Sequence, residues 1–466
     1  MRSETINTPD SPAAEKPVVV GKRQGIRNIP ARRIRGLKAR NRIRANAKNA
    51  FLLFWIWPFG SFLMAVRNIR SRAYHPIILM FAFIYGYSVY MYSGDVVRYA
   101  EAFEQITHAN WRDYFYLLQQ SYTGKGYGIG SFGVVATQPD LYALTMQFLV
   151  SRVTENCRWF FGIVSLVYAW FFLGFINELI PEIKWRKGFV LQNIFFIYLL
   201  FCVPFFYPVI GVRFWTALSV FMLFSIKHIK KPSIKYLLLS SISIVIHYTF
   251  ILPVFILVLY NLIKVNRSLI TLMIFVALLF SVMTTSSQKI AYVGSTSSYF
   301  EGSRIENRID AYTNQDIKEQ IAGKRAKTNW YVRWNRQISH FFLTAVFIIE
   351  FILNIKWKQT LFLKKLYPFY VLFFTISLSL HGVIDRYSYI FAMIFFMRFT
   401  ILIGLNPKSR FLRMVSLLLI PILILHLAIV FRSGFYTVDP LLLISPAAVL
   451  LFIQSKTSLS ELIVGH

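Results

Sequence analysis

YLLLSSISIVIHYTFILPVFILVLYNLI, residues 236 to 263, is an apolar run whose length and flanks decide how this chain folds. About 20 apolar residues cross a lipid bilayer as one helix, so the run is long for one span and short for two. Both flanks are basic, KHIKKPSIK before the run and KVNR after it, and basic flanks are typical of the cytoplasmic side. The run therefore predicts a hairpin of two short helices, broken around His247 and Pro253, with His247 near its outer apex.

The composition of the whole chain agrees with a membrane environment. Of its 466 residues, 56% are hydrophobic and only 15% are charged, which predicts an all-α, polytopic membrane protein of about 10 to 12 spans. The net charge of +31 collects at the ends of apolar runs, where basic residues set topology. We therefore interpret the charge as a topology signal and expect no nucleic-acid partner.

Three regions are predicted along the chain. Residues 1 to 50 carry thirteen Lys and Arg against three acids, which predicts a disordered cytoplasmic tail in contact with anionic membrane lipids. Residues 51 to 455 form the polytopic membrane domain, with outer loops at about 93 to 157 and 284 to 337, and residues 456 to 466 form a short cytoplasmic C-terminus.

The positions of the basic flanks, which mark cytoplasmic ends, give the order and direction of the spans. Segment 51 to 66 is broken by Pro58 and Gly60 between basic flanks, so it predicts an interfacial or re-entrant element, with a full span as the alternative. A Gly and Ser loop, SYTGKGYGIGSFG, and an amphipathic helix on the membrane surface, LYALTMQFLVSRVTEN, are expected in the first outer loop. The remaining spans are predicted at about 74–92, 158–180, 189–207, 212–227, 269–283, 338–355, 366–380, 387–403, 411–431 and 440–454.

This topology brings charged and histidine side chains from four parts of the chain to the outer ends of helices. A charge inside a span costs about 2.5 to 3.5 kcal/mol on insertion scales, so several independent placements at one depth predict a shared polar cavity that opens outward. These residues are Asp95, Arg98, Arg213, His247, His381, Asp385 and Arg386.

Arginines in such a cavity suit an anionic group such as pyrophosphate, because a guanidinium donates paired hydrogen bonds to phosphate oxygens. The alternatives are structural roles. Arg98 and Arg386 would anchor to lipid headgroups, His247 would be a hydrogen-bonded core residue, and His381 and Asp385 would form a turn pair. Cys157 and Cys202 have no metal-ligand spacing, and the eight histidines form no HxxxH or HExxH pattern, so neither a metal nor another cofactor is expected.

Four stretches also resemble a known family: SGDVVRY, QPDLYALTMQFLVSRVTENCRWFF, the segment from GVRFW to HYTF, and DRYSYIF. The set looks like the EpsG-type branch of bacterial polysaccharide polymerases, relatives of the Wzy O-antigen polymerases. In that branch an Asp followed by Arg-Tyr opens the first outer loop, an Arg heads a span, and a later His lies in an apolar helix. The matching residues are Asp95, Arg98, Tyr99, Arg213 and His247, and the resemblance covers roughly residues 74 to 260.

The resemblance implies a GT-C-like membrane fold. It also implies a polymerase that joins undecaprenyl-pyrophosphate-linked repeat units at the outer face of the bacterial inner membrane, beside a flippase and a chain-length regulator. Arg213 and Arg386, helped by Arg98, are then expected to hold the pyrophosphate, and Asp95 or His247 to act as the base. Tyr99, His381 and Asp385 are secondary candidates. The second acid of an Asp-x-Asp motif is absent at Asp95, so the transfer is expected to be metal-independent and inverting.

Two other function classes stay open from the sequence. A lipid-linked glycan transporter or flippase would also place arginines in a cavity, although transporters commonly carry an internal repeat, and we find none. A membrane O-acyltransferase that modifies the glycan would use a catalytic His reached from the cytoplasm, whereas His247 is predicted near the outer apex. A purely structural scaffold fits least, given the cost of the converging charges.

Overall fold

The computed structural model describes residues 31–90, 95–123, 141–185, 190–201, 211–263, 266–283, 330–353, 355–379, 385–453, 455 and 457–464. Over these ranges every helix or strand element is a helix, which confirms the all-α membrane class. Three described helices are long and apolar enough to cross a membrane: Cys157–Glu182, Val212–Lys230 and Arg410–Arg432. The total of about 10 to 12 spans stays a prediction.

The described helices follow the predicted apolar runs closely, with shifted ends. In chain order they are α1 Ala31–Ile56, α2 Pro58–Arg67, α3 His75–Tyr87, α4 Asp95–Thr107, α5 Trp111–Thr123, α6 Leu141–Ser151, α7 Cys157–Leu179, α8 Val190–Phe201, α9 Val212–Lys230, α10 Ile234–Ile246, α11 Ile251–Leu262, α12 Arg267–Met283, α13 Trp330–Ile352, α14 Leu361–Ser379, α15 Asp385–Leu405, α16 Arg410–Phe435, α17 Leu441–Ile444, α18 Ala447–Phe452 and α19 Leu459–Val464.

The chain divides into two units, residues 1–46 and 47–466. In the first unit, residues 31 to 46 belong to helix α1, whereas the sequence predicts disorder for the whole tail. Alanine, arginine and lysine have high helix propensity, which favours this helix. In the second unit, the helix breaks at Trp57 and restarts at Pro58, a position that proline tolerates because the first turn lacks hydrogen-bond acceptors for its N–H groups.

Helices α3, α7, α9 and α10 pack against one another at the centre of the second unit. A Cβ atom at Gly86 of α3 would clash with the Phe161 carbonyl and the Ser165 side chain of α7. Because glycine has no side chain, the two backbones approach closely, as small residues allow at helix interfaces in membranes. This contact fixes the position of α7, against which α9 then packs.

The broken hairpin is present as the sequence predicts. Helix α10 ends at Ile246, His247 is extended with φ −152° and ψ 112°, and a single 3₁₀ turn, Tyr248–Phe250, leads into α11. His228 of α9 joins the beginning and the end of this hairpin, because its ring nitrogens lie 3.0 Å from the Ser233 carbonyl and 2.9 Å from the Asn261 side-chain oxygen. The hairpin therefore starts and ends beside the C-terminus of α9, as predicted.

We call this region the basic end, defined by the last turn of α9 with Lys227 and Lys230. Lys230 forms ion pairs with Glu178 at 3.4 Å and Glu182 at 3.2 Å, both at the end of α7. Lys365 of α14 donates to the Lys230 carbonyl at 3.1 Å. The ends of α7 and α9, the two ends of the hairpin and the first turn of α14 therefore meet here.

Two predicted elements differ in the structure. The span predicted at 440–454 is two short helices, α17 and α18, because Ser445 is extended and Pro446 follows it; a residue before proline disfavours the helical conformation. Helix α6, expected on the membrane surface, instead buries Leu144, Gln147 and Phe148. It packs against α4, α5 and α7, so it belongs to the helix assembly that positions the candidate site.

Candidate active site

Arg213 is the centre of the candidate site. It is the second residue of α9, only 9% exposed, and its Nε donates a 2.9 Å hydrogen bond to the hydroxyl of Tyr99 on α4. Tyr99 lies one residue after Arg98, in the motif that the sequence singled out. The structure thus joins two predicted residues that are 114 positions apart.

Tyr99 is held from two other helices. The side chain of Gln147 on α6 donates to the Tyr99 carbonyl at 2.9 Å, and the Tyr99 ring packs on Phe160 of α7 with centroids 6.2 Å apart. These contacts fix the helical turn that carries the phenol. The hydroxyl therefore meets Arg213 in a defined position, which limits the rotamers of a long and flexible side chain.

His247 contacts Phe214, the residue that follows Arg213 in α9. Its side chain is in the core, since His247 is 2% exposed, and its ring centroid lies 6.0 Å from that of Phe214 in an edge-on arrangement. The ring nitrogen Nδ1 lies 3.4 Å from the Thr249 hydroxyl. The break between α10 and α11 therefore brings an imidazole to the beginning of α9.

Helix α15 reaches the same place. The hydroxyl of Tyr387 donates to the Thr249 carbonyl at 2.9 Å, and the Tyr389 ring lies 5.6 Å from the Trp215 ring of α9. The first turn of α15, which begins with Asp385 and Arg386, thus lies beside the hairpin break and the start of α9. The side chains of Asp385 and Arg386, and the whole of His381, are outside the described residues.

Three helices begin around these residues, namely α4, α9 and α15. Helix N-termini carry partial positive charge and unpaired N–H groups, so each favours an anion nearby. A buried arginine adds a full positive charge to this arrangement. The electrostatics of the region therefore suit a phosphate-bearing ligand.

Asp95 and Arg98 lie differently from the other candidates. Their side chains form an ion pair with each other at 3.5 Å and are 46% and 69% exposed. Asp95 is the first residue of α4, where a carboxylate interacts favourably with the helix dipole. The pair therefore occupies an exposed position in the turn before Tyr99, which is half-buried, while Arg213 and His247 are buried.

Sequence reasoning missed Gln147, Tyr387 and Tyr389. Tyr387 and Tyr389 lie in the motif DRYSYIF within three residues of Arg386. Their closeness to a candidate arginine could have identified them from the sequence. Gln147 is a polar residue in the apolar run LYALTMQFLV, which is itself unusual for a buried face. In the described residues, no group of three or more His, Cys, Asp or Glu side chains is arranged to hold a metal ion.

A second buried charge was also missed, and it lies outside this site. Arg398 of α15 pairs with Glu350 of α13, with side chains 4% and 11% exposed. Arg398 Nη1 donates to Glu350 Oε2 at 2.8 Å, and Nη2 donates to Oε1. Trp357 Nε1 also donates to Oε1 at 2.8 Å, so this carboxylate accepts hydrogen bonds on both oxygens.

Residues 73–442 match the sequence model of the EpsG family. The chain belongs to the EpsG family. This is a family of Wzy-like polysaccharide polymerase-type proteins, and the match includes every candidate site residue described above. No curated protein and no solved structure matches the chain. Family membership and the apolar helices together make this a membrane protein of polysaccharide biosynthesis.

Proposed function

We propose that the protein is a polysaccharide polymerase that joins undecaprenyl-pyrophosphate-linked repeat units at the outer face of the bacterial inner membrane. The observation that carries the proposal is the buried Arg213 at the start of α9, bonded to Tyr99 and next to the His247 break. A membrane protein rarely buries a guanidinium in an apolar helix without a functional reason, because desolvation is costly. The N-terminus is cytoplasmic in this proposal, which follows from its basic residues.

Arg213 binds the pyrophosphate of the donor chain, together with Arg386 and the more exposed Arg98. Guanidinium groups and the helix N-termini stabilise the negative charge that develops on the pyrophosphate as it leaves, which is the role of preorganised donors in transfer reactions. Arginine is well suited to this role because its planar group donates two parallel hydrogen bonds to phosphate oxygens. Tyr99 orients Arg213 through Nε.

The reaction is a single displacement. A hydroxyl oxygen of the acceptor repeat unit attacks the anomeric carbon of the donor, the new carbon–oxygen bond forms, and the bond to pyrophosphate breaks with its electron pair on the leaving group. Asp95 or His247 takes the hydroxyl proton as general base. Attack opposite the leaving group inverts the anomeric configuration, and the positive charge comes from arginines rather than a metal ion.

The buried position of His247 supports it as the base of first choice. Its ring is next to Phe214, so it lies one residue from the proposed pyrophosphate ligand, whereas Asp95 is 46% exposed and paired with Arg98. Most of the two predicted outer loops, including residues 124–140 and 284–329, lies outside the described residues. A flippase supplies the lipid-linked units, and a chain-length regulator acts beside the polymerase.

The proposal is tested by complementation of a polymerase-deficient host. Wild type, Arg213→Ala and His247→Ala are expressed, their amounts in the membrane are measured, and surface glycan length is read on a gel. We expect long chains from wild type and single repeat units from both variants, because the lipid-linked unit still arrives but is not extended. Inserted Arg213→Ala protein that makes chains of normal length contradicts the proposal.

Matched controls come from the region around the start of α5. Arg112→Ala removes an exposed arginine of α5, and His108→Ala removes an exposed histidine directly after α4; both are expected to leave chain length unchanged. The alternative of a flippase predicts a different gel, since loss of transport removes even single units from the surface. That result for Arg213→Ala would replace the polymerase by a transporter.

A further inference from the structure

A second polar site lies at the opposite end of α9 from Arg213. It is an open cavity of about 440 Å³ between the start of α12, the end of α13, the 355–360 segment and the first turns of α14. The 19 residues of α9 span about 28 Å, and the hydrogen bond from Lys365 to the Lys230 carbonyl places the start of α14 at the basic end. The cavity is therefore separated from the candidate active site by roughly the thickness of the apolar layer.

The lining of this cavity is polar and carries positive charge. Lys356 and Lys364 contribute ammonium groups, and Asn266 and Gln359 contribute side-chain amides. Among the residues that the structure describes, no carboxylate pairs with Lys356 or Lys364. Two lysines that line one cavity and pair with no carboxylate in the described residues favour an anionic occupant.

The one acid in the lining does not cancel this charge. Glu350 accepts two hydrogen bonds from Arg398 and one from Trp357, so the arginine already compensates its carboxylate. The Glu350–Arg398 pair has no net charge, so the two lysines make the net charge of the cavity lining positive.

The segment that presents Lys356 is held at two points. Trp357 is anchored through its indole nitrogen to Glu350 at 2.8 Å. The Asn406 side chain bonds to the backbone of Lys358 twice, accepting from its N–H at 2.9 Å and donating to its carbonyl at 3.0 Å. Lys356 and Gln359 therefore flank a fixed stretch of backbone, which reduces the ordering cost of binding.

We propose that this cavity is a binding site for a phosphate-bearing ligand, separate from the candidate active site. Lysine binds phosphate as a point charge, the amides add hydrogen bonds, and the volume lies within the range for small-molecule pockets. At the membrane boundary such a phosphate belongs either to the headgroup of an anionic lipid or to a soluble phosphorylated compound. The chemistry of the site is the same for both sources.

The test measures thermal unfolding of the purified full chain in lipid nanodiscs, in two arms. One arm titrates inorganic pyrophosphate into phosphatidylcholine nanodiscs, and the other raises the fraction of phosphatidylglycerol. A ligand that binds only the folded protein raises its melting temperature. We expect Lys356→Ala and Lys364→Ala each to weaken the apparent affinity by about tenfold or more, the loss that corresponds to one charged hydrogen bond.

Lys358→Ala is the matched control, because it removes an exposed lysine of the same segment while the backbone bonds to Asn406 remain. Arg213→Ala controls for pyrophosphate at the candidate active site. A shift that the cavity variants lose and both controls keep supports the proposal, and the arm that shows it identifies the source of the phosphate. The proposal is overturned if neither arm shows a shift, if Lys358→Ala loses it equally, or if only Arg213→Ala loses it.

Discussion

Arg213 and Arg398 are both buried in apolar helices, yet their described partners differ. Arg398 donates twice to the carboxylate of Glu350, so its charge is matched by an acid of the protein. Arg213 donates through Nε to the hydroxyl of Tyr99, a group that orients a guanidinium without carrying a charge of its own. The described contacts of Arg398 therefore give it a role in the fold, whereas ligand binding by Arg213 belongs to the proposed function.

Position along the helix agrees with this division. Arg398 lies inside α15, between a described start at Asp385 and an end at Leu405, where removal of one partner leaves an uncompensated charge in the apolar layer. Arg213 is the second residue of α9, at the N-terminal end of its helix, where the helix dipole favours an anion. Substitutions at the two sites should therefore separate stability from activity.

The largest expected effect is on stability, at the ion pair. Glu350→Ala leaves Arg398 without its carboxylate, and breaking a buried pair costs about 3 to 5 kcal/mol. Denaturant unfolding of the purified protein in detergent measures this loss. Glu350→Gln keeps an acceptor for the Trp357 indole and should lose less. Equal stability of wild type and Glu350→Ala would remove the contrast between the two arginines.

The next effect is on activity, at Arg213. Arg213→Lys keeps the positive charge but loses the planar group and its bond to Tyr99, so we expect the polymerisation rate to fall about 10²- to 10³-fold, as when one preorganised donor is removed. Stability measured by the same unfolding assay should change much less than in Glu350→Ala. If Arg213→Lys instead unfolded readily and kept its rate per folded molecule, Arg213 would be the structural arginine.

A smaller effect is expected at the phenol that orients Arg213. Tyr99→Phe removes one hydrogen bond, which is worth about 0.5 to 1.5 kcal/mol, so the rate should fall about two- to tenfold. The readout is the initial rate of chain extension at matched protein amounts. Tyr116→Phe is the control, because Tyr116 is an exposed tyrosine on the neighbouring helix α5. A Tyr99→Phe protein with a wild-type rate would show that the function of Arg213 does not depend on its hydrogen bond to Tyr99.

The sequence predicted the outer-end residues better than the buried ion pair, and for a physical reason. The break at His247 follows from the length and flanking charge of one run, which are local properties. The cost of charge at helix ends in separate spans groups Arg213 with His247, whereas Tyr99 was a candidate only through the family resemblance. The pairing of Arg398 with Glu350 depends on how two apolar helices, 48 positions apart in the chain, pack side by side. Nothing in either run specifies that contact.

The smallest effect is expected at the exposed pair, Asp95 and Arg98. A double-mutant cycle with Asp95→Asn and Arg98→Ala should give a coupling energy for stability of about 1 kcal/mol or less, because water and salt screen exposed ion pairs. Their bond of 3.5 Å, with both side chains largely exposed, leaves little structural reason for either residue.

Chain-extension rates of the same variants then assign their roles. A rate that falls far more than stability for Arg98→Ala places Arg98 on the pyrophosphate, and the same result for Asp95→Asn makes Asp95 the base in place of His247. Rates that change no more than stability would remove Arg98 from the proposed pyrophosphate site and leave His247 as the base.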